Sequence, residues 1–158
     1  MSGGHVAVGI DTGPKAHAWG AVRYERGVWR YVDSGSLEAD LASALPQALT
    51  TLALEGAAVA IECPQHAFSA ATASPIIATA RAAGELAGRL RALGVRAAYT
   101  TAADWRRELV GYANAHDAAV KSWLEAQVEG LPARTNVHVR DALGVACWAG
   151  VRAERGVW

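Results

Sequence analysis

Between His5 and Val32 the chain sets down three strand-like apolar segments with almost nothing between them. The first, His-Val-Ala-Val-Gly-Ile-Asp, ends in a carboxylate at Asp11, and Thr12-Gly13-Pro14 then has to turn. Ala18 to Tyr24 and Val28 to Val32 come next, around Arg26-Gly27. Parallel neighbours need a crossover of about a dozen residues, so connections this short leave only an antiparallel meander. The rest of the chain alternates between helix and strand. A helix is expected over Leu37 to Leu54, bent or split at Pro46, and then a buried strand from Ala57 to Glu62, again ending in a carboxylate and stopped by Cys63-Pro64. Pro75 to Leu93 reads as a long helix closed by Gly94, and Val95 to Tyr99 as a fifth strand. Thr101 to Asp104 has the form of a capping box opening a short helix to about Val110, which Gly111 ends. His116 to Val128 and Val137 to Val151 read as two more helices. The order predicts an α/β domain, a mixed five-stranded sheet with three antiparallel strands first, flanked by helices. The pentapeptide Glu-Arg-Gly-Val-Trp occurs at 25–29 and 154–158, once in a hairpin and once at the end of the chain, and is read as coincidence.

At 158 residues the chain fits one domain with room for a proper core and none for a second catalytic lobe. No apolar run approaches the roughly 18 residues of a membrane span, and no basic start or cleavage site of a secretory signal precedes the first strand, so a cytoplasmic protein is expected. Cys63 and Cys147 lie far apart without CxxC spacing and read as buried reduced thiols. The net charge of zero argues against a protein that clings to nucleic acid over its whole surface. Its distribution is uneven, however. Residues 1–80 hold four Lys/Arg against seven Asp/Glu, and residues 81–158 hold eleven against eight, which makes the second half the phosphate-facing part.

Asp11 closes the first strand and Glu62 the fourth, and two central strands lying side by side bring such ends together. His138 and Asp141 stand three apart in the last helix, about 60° around its axis, and share one face. Three carboxylates and an imidazole in one place would repel unless a cation sat among them. An oxygen-rich set of this kind suits Mg²⁺ or Mn²⁺, two per site, better than zinc, because no thiolate accompanies the acids. Such a pair clamps a scissile phosphate for in-line hydrolysis.

The segments Gly9-Ile-Asp-Thr-Gly with Trp19-Gly20, then Ala60-Ile-Glu62, then His138-Val-Arg-Asp141-Ala-Leu-Gly-Val-Ala resemble, in order, the three signature segments of the RuvC Holliday-junction resolvases, an RNase H-like family. The similarity runs from about Val6 to Val151, and the last segment discriminates, because Gly-Ile-Asp-x-Gly alone also opens actin-like kinases and other nucleases. The resemblance implies that Asp11, Glu62, His138 and Asp141 are the catalytic metal ligands. It further implies that Arg106 and Lys121 are catalytic cations, that Arg107 joins them in contacting DNA, and that Phe68 is an aromatic that stacks on bases at the junction core. Thr12 stands where that family commonly has Pro. Trp19, Trp29, Trp105, Trp123 and Trp148 are read as core or interface residues. Ala80, Gly84 and Gly88 form a small-residue stripe on the long helix, and the resemblance implies that this helix pairs across a two-fold axis in a homodimer acting on four-way DNA junctions. Two other readings stay open: another nuclease of the same fold acting on RNA–DNA hybrids or flap and branched DNA, and a non-catalytic nucleic-acid-binding module. An actin-like ATPase needs two such lobes and is excluded by length.

Overall fold

The computed structural model describes residues 4–38, 44–64 and 70–158, with the side chains of 70–73 left out. Strands β1 (His5–Thr12), β2 (His17–Glu25) and β3 (Val28–Leu37) form the expected meander. They are succeeded by α1 (Gln47–Leu54), β4 (Ala58–Glu62), α2 (Ala70–Ala92), β5 (Ala97–Thr100), α3 (Ala102–Leu109), α4 (Asp117–Gln127), β6 (Val128–Glu129) and α5 (Val137–Glu154). The sheet runs β5-β4-β1-β2-β3-β6, with β4 parallel to β1, β5 parallel to β4, and β6 parallel to β3. The β2–β3 turn takes Arg26 and Gly27 at φ of 55° and 83°, the left-handed pair that a tight hairpin needs.

Three expectations are corrected. Among the described residues the sheet has six strands, because Val128, expected to end a helix, instead buries its β-branched side chain beside Trp29 as the start of β6. The helix expected from Leu37 starts only at Gln47. Leu37 is the buried last residue of β3, paired with His17, and Pro46, which has no N–H to give, stands at the helix N-cap. The long helix begins at Ala70 with Pro75 inside it, where the hydroxyl of Thr79 bonds the Pro75 carbonyl at 2.9 Å.

Alternation along the central strands decides what faces what. Val8, Ile10, Val59 and Ile61 turn to one face and pack with Leu49 and Ala53 of α1 and with Leu86 and Leu90 of α2. Ala7, Ala58 and Ala60 turn to the other, under Leu143, Ala146 and Ala149 of α5. The residues beneath α5 are small, and the helix lies almost on the sheet. A Cβ placed on Gly9 would come within 2.1 Å of the Ala142 carbonyl and 2.3 Å of the Ala146 nitrogen. Gly150 lies over Ala7 while Ala142 lies over Gly9, so α5 runs antiparallel to β1 and its N-terminal turns reach the end of β1 that carries Asp11. Burial explains why α5 reads as almost uniformly apolar after Asp141, since every residue from Asp141 to Gly150 is inside.

Candidate functional site

Asp11 and Glu62 occupy paired positions at the C-terminal ends of the parallel strands β1 and β4, in phase with Gly9 and Ala60, and therefore on the face that α5 covers. The hydroxyl of Thr12, on the opposite phase, donates to the Glu62 backbone carbonyl at 2.7 Å and ties the two strand ends together. From above, α5 supplies His138 and Asp141. Asn136 caps the helix by accepting from the Val139 amide at 2.9 Å, which sets the turn that carries His138.

His138 Nδ1 lies 2.8 Å from Asp11 Oδ2. With Asp11 ionised the carboxylate can only accept, so a neutral His138 carries its hydrogen on Nδ1 and keeps the Nε2 lone pair. Arg106 of α3 donates from a terminal nitrogen to Asp141 Oδ2 at 2.9 Å, while Asp141 Oδ1 and Arg106 Nε are buried with no hydrogen-bond partner among the described residues. Trp105, fully buried, donates its indole N–H to Glu62 Oε2 at 2.6 Å.

Burial dominates the electrostatics. It raises the Asp11 carboxyl to about 6, against the lowering effect of the His138 contact. It raises Glu62 to about 8, with the neighbouring charge of Asp11 adding to the effect. Asp141 is raised by burial as well, in spite of Arg106. Three acids are thus crowded together and short of water, a state that disfavours their ionisation and that a bound cation would reverse.

The structure brings Asp11, Glu62, His138, Asp141 and Arg106 into one cluster. Lys121 and Arg107 stand outside it. Lys121 is exposed on α4, 3.8 Å from Glu125, and lines a neighbouring cleft with Arg134 and Arg140. Arg107 is exposed on α3 and pairs with Asp104 at 3.4 Å. Phe68 lies outside the described residues. Trp105, expected in the core or at an interface, is in the core, and its bond to Glu62 was not foreseen. The available signal was its place directly before Arg106 in a helix that starts where β5, the neighbour of β4, ends. Of the two cysteines, Cys147 is buried, with its thiol pushed up by burial, whereas Cys63 is only partly buried.

Among the described residues no three His, Cys, Asp or Glu side chains converge on one point as a ready metal cage. One donor atom of each residue in the cluster is engaged: Glu62 Oε2 by Trp105, Asp141 Oδ2 by Arg106, and Asp11 Oδ2 and His138 Nδ1 by each other. The donor set nevertheless fits a hard divalent ion, because it offers carboxylate oxygens, one imidazole nitrogen and an unpartnered buried oxygen on Asp141.

No family model and no curated protein matches the chain. Solved structures do. A Thermus thermophilus RuvC in complex with a Holliday junction substrate aligns over 97% of this chain and 97% of its own, at a TM-score of 0.68 and 20% identity. Another Thermus thermophilus RuvC structure aligns over 96% and 97%, at 0.58 and 18%. The mixed sheet with its N-terminal meander, the covering helix α5 and the acid-bearing ends of β1 and β4 together make the fold of this chain the RuvC fold.

Proposed function

We propose that the chain is a divalent-metal-dependent endodeoxyribonuclease that resolves four-way DNA junctions. The observation that carries this reading is that the paired strand-end carboxylates, Asp11 and Glu62, lie beside His138 and Asp141 from the helix above them. The fold shared with a junction-bound RuvC supports it.

Asp11, Glu62, Asp141 and Nε2 of His138 are the groups that would hold two Mg²⁺ or Mn²⁺ ions. The ions, when bound, supply Lewis-acid stabilisation of a phosphodiester and a nucleophilic water, the chemistry that leaves 5′-phosphate and 3′-hydroxyl ends. The protein's part is positional. The β1–β4 register fixes the separation of Asp11 and Glu62, the Thr12 hydroxyl locks the strand ends, and the capped turn of α5 presents His138. Arg106, paired with Asp141 at 2.9 Å, is the cation for a phosphate entering the cluster. Lys121, with Arg134 and Arg140, lines the cleft along which a DNA backbone would leave the site, and Arg107 extends the basic surface on α3. Phe68 is the residue for stacking on junction bases, and α2 is the surface for a homodimer, because a junction has two symmetric strands to cut.

Labelled four-way junction, flap, linear duplex and RNA–DNA hybrid, incubated side by side with the protein in Mn²⁺, test the reading. Preference for the junction together with a dimer in sedimentation supports it. Preference for the hybrid by a monomer would replace it with the RNase H reading, and binding without any cleavage would replace it with a non-catalytic module. Among the described residues no helix is long and apolar enough to cross a membrane.

A further inference from the structure

We propose that Trp105 is a positioning residue for Glu62, its indole N–H fixing the orientation in which that carboxylate faces the divalent-ion site. The inference rests on the proposed role of Glu62 as a metal ligand, and it concerns a residue to which the resemblance gives no role.

Three observations carry it. First, the ring is closely confined. Trp105 is fully buried between α3 and α5, and a Cβ on Gly144 would stand 2.5 Å from its Cζ3, so the glycine one turn beyond Asp141 is what admits the six-membered ring. A rigid ring makes its N–H a fixed point, and at 2.6 Å that point holds Glu62 Oε2. Second, burial alone does not explain the contact. Trp148 is 5% exposed and its Nε1 has no hydrogen-bond partner among the described residues, so this interior tolerates an unpaired indole. Third, the next residue, Arg106, reaches a different acid, Asp141. Successive residues of one short helix therefore hold the strand-borne and the helix-borne members of the site.

The chemistry of an indole suits this task. It donates and cannot accept, so Oε2 is held as an acceptor in every protonation state of Glu62. It is also neutral, so it orients the carboxylate without setting a positive charge against an incoming cation, as a Lys or Arg in its place would do.

The test replaces Trp105 with 3-benzothienylalanine, which keeps the bicyclic shape with sulfur for N–H, and separately makes Trp105→Phe. The protein is labelled with ¹⁵N-tryptophan, which gives six indole resonances. In the wild type the resonance lost in Trp105→Phe should move on Mg²⁺ addition without DNA, and it should move in Glu62→Gln. The benzothienyl protein should melt within a few degrees of wild type. Its Mn²⁺ affinity should be about 10- to 100-fold weaker, the effect of losing a hydrogen bond to a charged group. Its kcat on a junction should fall, with KM unchanged. An indole resonance indifferent to both Mg²⁺ and Glu62→Gln, or a benzothienyl protein with wild-type ion affinity and kcat, would overturn the positioning role. If wild-type protein binds no divalent ion and cuts no junction, the nuclease reading falls first and the positioning role with it.

Discussion

Glu62→Gln should change how folding stability depends on pH, in a direction opposite to the usual behaviour of a paired carboxylate. The Glu62 carboxyl is raised from 4.5 to about 8, mainly by burial and then by the charge of Asp11. Between those two values the folded chain keeps a proton that the unfolded chain has released, so stability falls as pH rises. Below 4.5 both states are protonated and above 8 both are ionised, which confines the loss to that window. The carboxyl of Asp11, raised to about 6, produces its own loss at lower pH, so the informative range begins above it. From pH ~6.5 to the end of the Glu62 window, at about 1.4 kcal/mol per pH step, the wild type should lose about 2 kcal/mol. That corresponds to about 4–8 °C in melting temperature for a domain of this size. Glutamine cannot ionise, so the variant should lose none of it. The assay is thermal unfolding in EDTA at about pH 6.5 and 9 for both proteins. Parallel declines would show that Glu62 is not a crowded, desolvated acid and would remove the electrostatic argument for a cation site.

Asp11→Asn should abolish cleavage while leaving junction binding intact or tighter, because it removes a negative charge from a buried cluster; the melting temperature in EDTA should not fall, and gel shift with thermal unfolding checks both. His138→Asp should lower the ratio of Mn²⁺-supported to Mg²⁺-supported cleavage, since an imidazole nitrogen gives way to a hard oxygen; an unchanged ratio would remove His138 from the ligand set. Gly9→Ala should cost on the order of 3 kcal/mol or more in urea unfolding, because its methyl would meet helix backbone, which cannot rotate aside; a cost below about 1 kcal/mol would mean that α5 is not seated on β1 as described.

The acids were legible in the sequence because their positions follow from period-2 alternation. Asp11 and Glu62 each end an apolar run of small and branched residues, and once the runs pair in register, the carboxylates have to share a face. His138 and Asp141 were legible for the same kind of reason, from the helical period. The reach of β3 to Leu37 and the two residues of β6 were not, because both depend on partners distant in sequence, His17 in one case and Trp29 in the other. Trp105 was read as a core or interface residue and is buried in the core. Its bond to Glu62 depends on how α3 is laid against α5, which no local pattern encodes, although Gly144 in the middle of an apolar helix marked a close approach. The basic residues divide on the same principle. Arg106 turns inward to Asp141, whereas Arg107, one position on, faces solvent, and a helix of charged residues does not announce which of its faces is covered.

Hydrolysis of DNA by this cluster with a divalent ion is the central claim. Single-turnover incubation of a labelled four-way junction with wild-type protein, in Mn²⁺, in Mg²⁺ and in EDTA, measures it directly. The prediction is a pair of symmetric nicks in the metal-containing reactions, with ends that ligase can seal, and none in EDTA. Cleavage that persists in EDTA, or an intact junction in both metals from protein that binds it, would contradict the assignment of Asp11, Glu62, His138 and Asp141 to a metal-dependent phosphodiesterase.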